Sequence, residues 1–226
     1  MTPDNKSPLA IVVLISGYGS NLQAIIDAAG NDGLPVEIRA VISNRPDAYG
    51  LERAKQAGIP TAVIDHKTFS LRENFDQALQ DCIDQYQPEL VVLAGFMRLL
   101  TDTFVNHYLG RMLNIHPSLL PKFKGLNTHQ RALQAYQSGE ITEHGVSIHF
   151  VTTELDGGPV IVQSAIPIRP EDSADSLAAR VVTREHEIYP AAIGWFADQR
   201  LQLQGQQVYL DGKALQHPVQ WQNSEQ

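Results

Sequence analysis

The chain has 226 residues and a single cysteine, Cys82, so no disulfide can form within it. A chain of this length buries about 70% of its unfolded surface and needs no covalent staple. Cys82 falls in a helical pattern with Leu79, Ile83 and Tyr86, which reads as a buried, inert thiol in a reducing compartment. Basic residues are also scarce. Seventeen Lys and Arg against 25 Asp and Glu leave a net charge of −8, the reverse of a surface that grips nucleic acid or anionic membrane. No apolar run approaches the roughly 20 residues of a membrane span. The first run, Leu9 to Ile15, lacks a signal peptide's positive lead, because Asp4 cancels Lys6, and no small-x-small cleavage site follows it. The expected setting is cytoplasmic. H-E-x-x-H and paired-cysteine patterns are missing, and His116, His144 and His149 make a weak ligand set, so no metal is expected. What remains is an ordinary globular composition, 43% hydrophobic and 19% charged.

Within it, short β-branched runs alternate with helical patterns. Leu9–Ser16, Val36–Ser43, Thr61–Asp65, Leu90–Phe96 and Met112–Ile115 read as strands. Between them, Asn21–Ala29, Ala48–Ala57, Ser70–Tyr86 and Asp102–Tyr108 read as helices. This alternation predicts an α/β fold, a Rossmann-like doubly wound and mostly parallel sheet. Beyond about residue 125 the pattern changes to a mixed C-terminal extension. It holds a helix over Thr128–Ser138, strands over Val146–Thr152 and Val160–Ile168, and a long helix over Ser173–Ala197 that Pro190 should break or kink. Residues 1–8 read as a flexible start and 9–200 as one domain. Residues 201–226 read as a hairpin around Asp211-Gly212 and a loose polar tail.

Three patches carry chemistry. Ser16-Gly17-Tyr18-Gly19-Ser20-Asn21-Leu22 joins a strand to a helix, and its free N–H groups suit a phosphate. It is not the dinucleotide fingerprint, since Leu22 stands where a third glycine should be, nor a Walker loop, which needs a lysine. A plain capped turn stays open beside the phosphate reading. In Asn114-Ile115-His116-Pro117 the residues two apart share a strand face, so an amide donor and an imidazole project together at the strand's carboxyl end. That pairing suits an oxyanion and a proton shuttle. Glu154-Leu155-Asp156-Gly157-Gly158-Pro159 turns sharply around one carboxylate, either an ordinary β-turn or a partner that orients His116. A quieter signal is Glu185, on the apolar stripe of Leu177, Val181, Ile188, Ala192 and Trp195, where a carboxylate needs a partner. His144 and His149 lie near the Val146–Thr152 strand with no metal-binding pattern beside them, His66, His107, His129, His186 and His217 have no evident constellation, and Lys122 and Lys124 read as a solvated loop.

Five segments in order, ISGYGSNL (15–22), VLAGFMRLL (92–100), NIHPSLLP (114–121), HFVTTELDGGP (149–159) and EHEIYP (185–190), resemble the phosphoribosylglycinamide formyltransferases, folate-dependent enzymes of purine synthesis. The likeness covers approximately residues 9–200. It implies transfer of a formyl group from 10-formyltetrahydrofolate to the amine of glycinamide ribonucleotide, through a tetrahedral intermediate. By motif it implies catalytic roles for Asn114, His116 and Asp156, and a substrate phosphate held by Gly19, Ser20 and Asn21. Val182, Thr183, Arg184 and Glu185 match the segment that meets the ribose. Met97, Arg98, Leu99, Leu100, Asn114, Thr152, Thr153, Glu154, Leu155 and Asp156 match the folate pocket, with Arg72 beside them. Tyr18 occupies a variable loop position and is expected to be harmless, and no role is assigned to Lys124 or Asn127. Within the superfamily, a formyl-folate hydrolase would carry an amino-terminal regulatory domain, and a methionyl-tRNA formyltransferase a carboxyl-terminal domain and a basic surface. Neither is expected here, and a catalytically silent nucleotide-binding module is the remaining alternative. The expected partners are small molecules, without nucleic acid or membrane, and a homodimer is left open.

Overall fold

The computed structural model describes residues 7–31 and 33–222. Its first half alternates β1 (Leu9–Ile15), α1 (Ser20–Asn31), β2 (Val36–Ser43), α2 (Gly50–Gln56), β3 (Thr61–Val63), α3 (Arg72–Asp84), β4 (Leu90–Leu93), α4 (Asp102–His107) and β5 (Met112–His116). A short 3-10 turn, His66–Thr68, precedes α3. Then come α5 (Thr128–Gln137), β6 (Glu143–Phe150), β7 (Val160–Pro167) and α6 (Ala174–Ala197). The eight-stranded sheet has the order β11-β7-β6-β5-β4-β1-β2-β3, with β11 (Val219–Gln220) at one edge. From β3 through β2, β1 and β4 to β5 the strands are parallel, while β6 runs antiparallel to both β5 and β7.

The apolar run of β1 is buried along its whole length because it has no solvent face. Ile11, Val13 and Ile15 pack with Leu22 and Ile25 of α1, Leu51 of α2 and the α6 stripe. Val12 and Leu14 point the other way, onto Phe75 and Leu79 of α3 and Phe104 of α4. Each such side chain contributes about 1.5–3 kcal/mol by leaving water. The strand order reverses between β1 and β4, which opens a crevice beyond their carboxyl ends. Both site loops start there.

Three expectations need correction. Helix α6 runs unbroken through Pro190. The ring removes one backbone bond at a cost of about 3 kcal/mol, but Ile188, Tyr189, Ala192 and Ile193 around it are all fully buried and hold the helix in place. The tail is not loose: β8 (Leu201–Gln204) joins the expected hairpin, β9 (Gln207–Leu210) and β10 (Lys213–Ala214), in a three-stranded sheet. β11 then pairs in parallel with β7, and the Trp221 N–H donates to the Gln163 carbonyl at 2.8 Å. Glutamine-rich strands of two to four residues carry no alternation that a pattern could detect. Third, Cys82 is only partly buried, although burial does push its thiol pKa up. The expected flexible start lies largely outside the described residues, as do the last four. Among the described residues no helix is long and apolar enough to cross a membrane.

Candidate active site

Two cavities open side by side at the carboxyl ends of β1, β4 and β5. The first, about 480 Å³, is floored by Gly17–Asn21 after β1, with Asn44 and Arg45 after β2 and Gly95, Met97 and Arg98 after β4 around it. The Ser16 hydroxyl fastens the three loops, donating to Asn44 Oδ1 at 2.6 Å and accepting the Met97 N–H at 2.8 Å. Gly19 has φ +77°, and a Cβ there would lie 2.7 Å from the Gly50 backbone, so a glycine is required. Helix α1 begins at Ser20, which turns its positive end toward the cavity. At the back, Asn21 Nδ2 donates to Glu185 Oε2 at 2.7 Å, while Asn21 Oδ1 is buried with no hydrogen-bond partner among the described residues. Burial raises the pKa of Glu185 and the Asn21 hydrogen bond opposes the rise. Among the described residues the hydrogen-bond partner of Glu185 is thus Asn21 and not a core arginine. Val182, Thr183, Arg184 and Glu185 do not themselves line this cavity, which Glu185 reaches only through Asn21, and Arg184 pairs with Glu187 at 2.9 Å.

The second cavity, about 130 Å³, has apolar walls from Leu93, Phe96, Leu99, Leu100, Val105 and Val151. Asn114, His149 and the turn Thr152–Asp156 close it, and Arg98 borders both cavities. Of the residues expected around the folate, Arg98, Leu99, Leu100, Asn114 and Thr152 to Asp156 line this space. Met97 lines the first cavity instead, and Arg72 is exposed at the start of α3, away from both.

Against the second cavity lies a polar cluster. Asp156 sits at φ +47° on its turn, and Gly158 permits that path because a Cβ would meet the Phe150 carbonyl at 1.9 Å. The Asp156 carboxylate accepts the Gly125 N–H at 2.8 Å, and its Oδ2 lies 3.4 Å from His116 Nδ1. The other nitrogen of His116, Nε2, donates to the Phe123 carbonyl at 3.0 Å. The reach from Asp156 to His116, which spacing alone leaves open, is present. His116 itself is buried and lies outside the cavity wall, so Asp156 is its link to the cavity.

His149, which has no metal-binding pattern beside it in the sequence, belongs to this cluster. It pairs in register with Asn114 across β5 and β6, and its Nε2 is 3.0 Å from Asn114 Nδ2 and 3.9 Å from Asp156 Oδ1. Burial pushes its pKa down to about 4, so the ring is neutral. The neutral ring donates from Nδ1 to the Phe150 carbonyl at 2.9 Å, and Nε2 must then accept from the Asn114 amide. That fixes the amide's orientation and leaves its second N–H for the cavity. The signal that would find His149 is the antiparallel pairing of β5 with β6, which no local pattern reveals. Lys124 is not simply solvated, since its Nζ meets Glu154 Oε1 at 2.6 Å across two site loops. Among the described residues no group of three or more His, Cys, Asp or Glu could hold a metal ion.

The chain matches the formyl transferase family model over residues 9–193. It belongs to that family. It is 57% identical over 205 residues to phosphoribosylglycinamide formyltransferase of Escherichia coli K12, covering 91% of this chain and 95% of that protein. Identity to the enzyme of the same name from Haemophilus influenzae is 51%, with the same coverage of both chains. The solved structure of phosphoribosylglycinamide formyltransferase from Coxiella burnetii, in complex with CHES, superposes with a TM-score of 0.89 at 57% identity. The match covers 95% of this chain and 100% of that one. This likeness agrees with the Rossmann-like fold expected from the strand and helix alternation.

Proposed function

We propose that the two cavities are the two halves of one formyl-transfer site, with the polar cluster on the wall of the second carrying the chemistry. The activity is that of a phosphoribosylglycinamide formyltransferase: a formyl group moves from 10-formyltetrahydrofolate to the amine of N1-(5-phospho-D-ribosyl)glycinamide. The observation that carries the site assignment is that Asn114 and Asp156 line the second cavity, which shares Arg98 with the cavity of the Gly17–Asn21 loop.

The phosphate sits on the loop N–H groups of Gly19, Ser20 and Asn21, where the helix dipole favours an anion. Glu185, bonded to Asn21 behind the loop, accepts from ribose hydroxyls in this reading. The apolar second cavity takes the flat end of the folate, and exposed Leu99 and Leu155 give its remainder an apolar rim. The substrate amine attacks the formyl carbon, and the carbonyl oxygen becomes an oxyanion. Asn114 donates its free N–H to that oxygen, an interaction worth about 3 kcal/mol when it exists only in the transition state. Asp156 takes the proton that the amine must lose. His116, in contact with Asp156, stabilises the carboxylate, and Asp156 returns the proton toward the folate N10 as the C–N10 bond breaks. Neither a metal nor a covalent enzyme intermediate enters the balance. The same reading places the enzyme in the cytoplasm with its lone thiol reduced, as a monomer or a homodimer.

His116→Ala and Asp156→Asn test the assignment. Each should lower kcat by about 10²-fold or more with little change in folate affinity. Unchanged turnover in both would remove the catalytic cluster from the reaction.

A further inference from the structure

Tyr18, on the wall of the first cavity, and Tyr49, just before α2, are large exposed aromatics, 67% and 49% accessible. Burial does not explain them. Their rings stack on each other, with centroids 5.3 Å apart and planes within 16°. The Arg53 guanidinium lies 4.4 Å from the Tyr18 centroid and 5.0 Å from that of Tyr49. The same guanidinium donates Nε–H to the Tyr18 carbonyl at 3.0 Å and a second N–H to Gln23 Oε1 on α1 at 3.1 Å. Beside it the Gly50 N–H donates to the Gly17 carbonyl at 3.0 Å. Two successive loop carbonyls, those of Gly17 and Tyr18, are therefore held toward α2. These oxygens would repel an anion if they turned into the cavity.

We propose that Arg53, clasped by the Tyr18–Tyr49 ring pair, is a positioning residue that holds the loop's amide face open for the phosphate monoester of the substrate. The inference rests on the phosphate reading of the Gly17–Asn21 loop. Arg53 acts on the loop backbone, and its fork geometry matters more than its charge. A lysine keeps the charge but cannot bond the Tyr18 carbonyl and Gln23 together while lying over two rings.

The test compares kcat/KM for glycinamide ribonucleotide and for its dephosphorylated riboside, in the intact enzyme and in Arg53→Lys and Tyr49→Ala. The intact enzyme should prefer the ribonucleotide. Both variants should lose about tenfold in kcat/KM on it, through KM, with kcat changed by less than about twofold. Activity on the riboside should not move. If the ribonucleotide preference persists in full in the variants, the positioning role is overturned while the phosphate loop stands. If the intact enzyme treats both substrates alike, the phosphate reading fails and the positioning role fails with it. Should Arg53→Lys not fold, Tyr49→Ala removes only an exposed ring and decides the question alone.

Discussion

Asn21 joins the loop after β1 to the long helix, since its amide N–H donates to Glu185 at 2.7 Å. Replacing it by aspartate sets a second carboxylate against Glu185 and beside the phosphate. Asn21→Asp should weaken ribonucleotide binding by roughly tenfold or more and folate binding far less. Separate calorimetric titrations check this, and equal losses would count against the phosphate loop. Glu185 gives a pH signature. Burial raises its folded pKa, so its stability contribution is complete below the usual glutamate range and is lost as pH rises through the folded value. Glu185→Gln should therefore be more stable than the parent at pH 7, with the advantage gone near pH 4. Urea midpoints at the two pH values measure it. At this scale the sequence is most legible where one short segment holds both the turn and the chemistry, as in Asn114-Ile115-His116-Pro117. Glu185 stands out as a carboxylate on an apolar stripe. His149 stays hidden because its meaning comes from Asn114 on the neighbouring strand.

Helix α6 shows how one element braces the site. The Tyr189 hydroxyl reaches two strand ends, 2.9 Å from the Leu93 carbonyl of β4 and 3.0 Å from the Leu113 carbonyl of β5. Leu113 directly precedes Asn114, so this contact fixes the strand from which the proposed oxyanion donor projects. Tyr189→Phe should lower stability by about 1–3 kcal/mol, because buried carbonyls lose a partner. Denaturant unfolding reads that loss, and an unchanged midpoint would mean the strand ends do not depend on the helix. Elements of seven or more residues are readable from periodicity and lie within a few residues of their expected places. The exceptions have physical causes. Pro190 is carried by the buried residues around it, and β8 and β11 form by pairing with strands already in place.

The whole molecule should be acid-sensitive. Burial pushes His144 and His149 each down to about 4, so both are neutral in the fold and charge on unfolding below about pH 6.5. For such depressed bases, stability is present above pH 6.5 and is lost as pH falls toward 4. The slope approaches about 1.4 kcal/mol per pH unit for each histidine, and Glu185 offsets part of it. The urea midpoint should drop between pH 7 and pH 5, and His144→Asn should flatten that slope. The layered α/β arrangement is readable because alternation of element types reflects the chain's path from strand to helix and back. The return of β6 and β7 alongside β5 is not, since it depends on contacts between distant segments. Those contacts put Asp156 against His116. The most direct measurement is consumption of 10-formyltetrahydrofolate by the purified protein, with and without glycinamide ribonucleotide. Consumption only in the presence of the ribonucleotide, with a formylated product, is the predicted result. Equal consumption without it, releasing formate, would contradict a transferase and make the site that of a hydrolase.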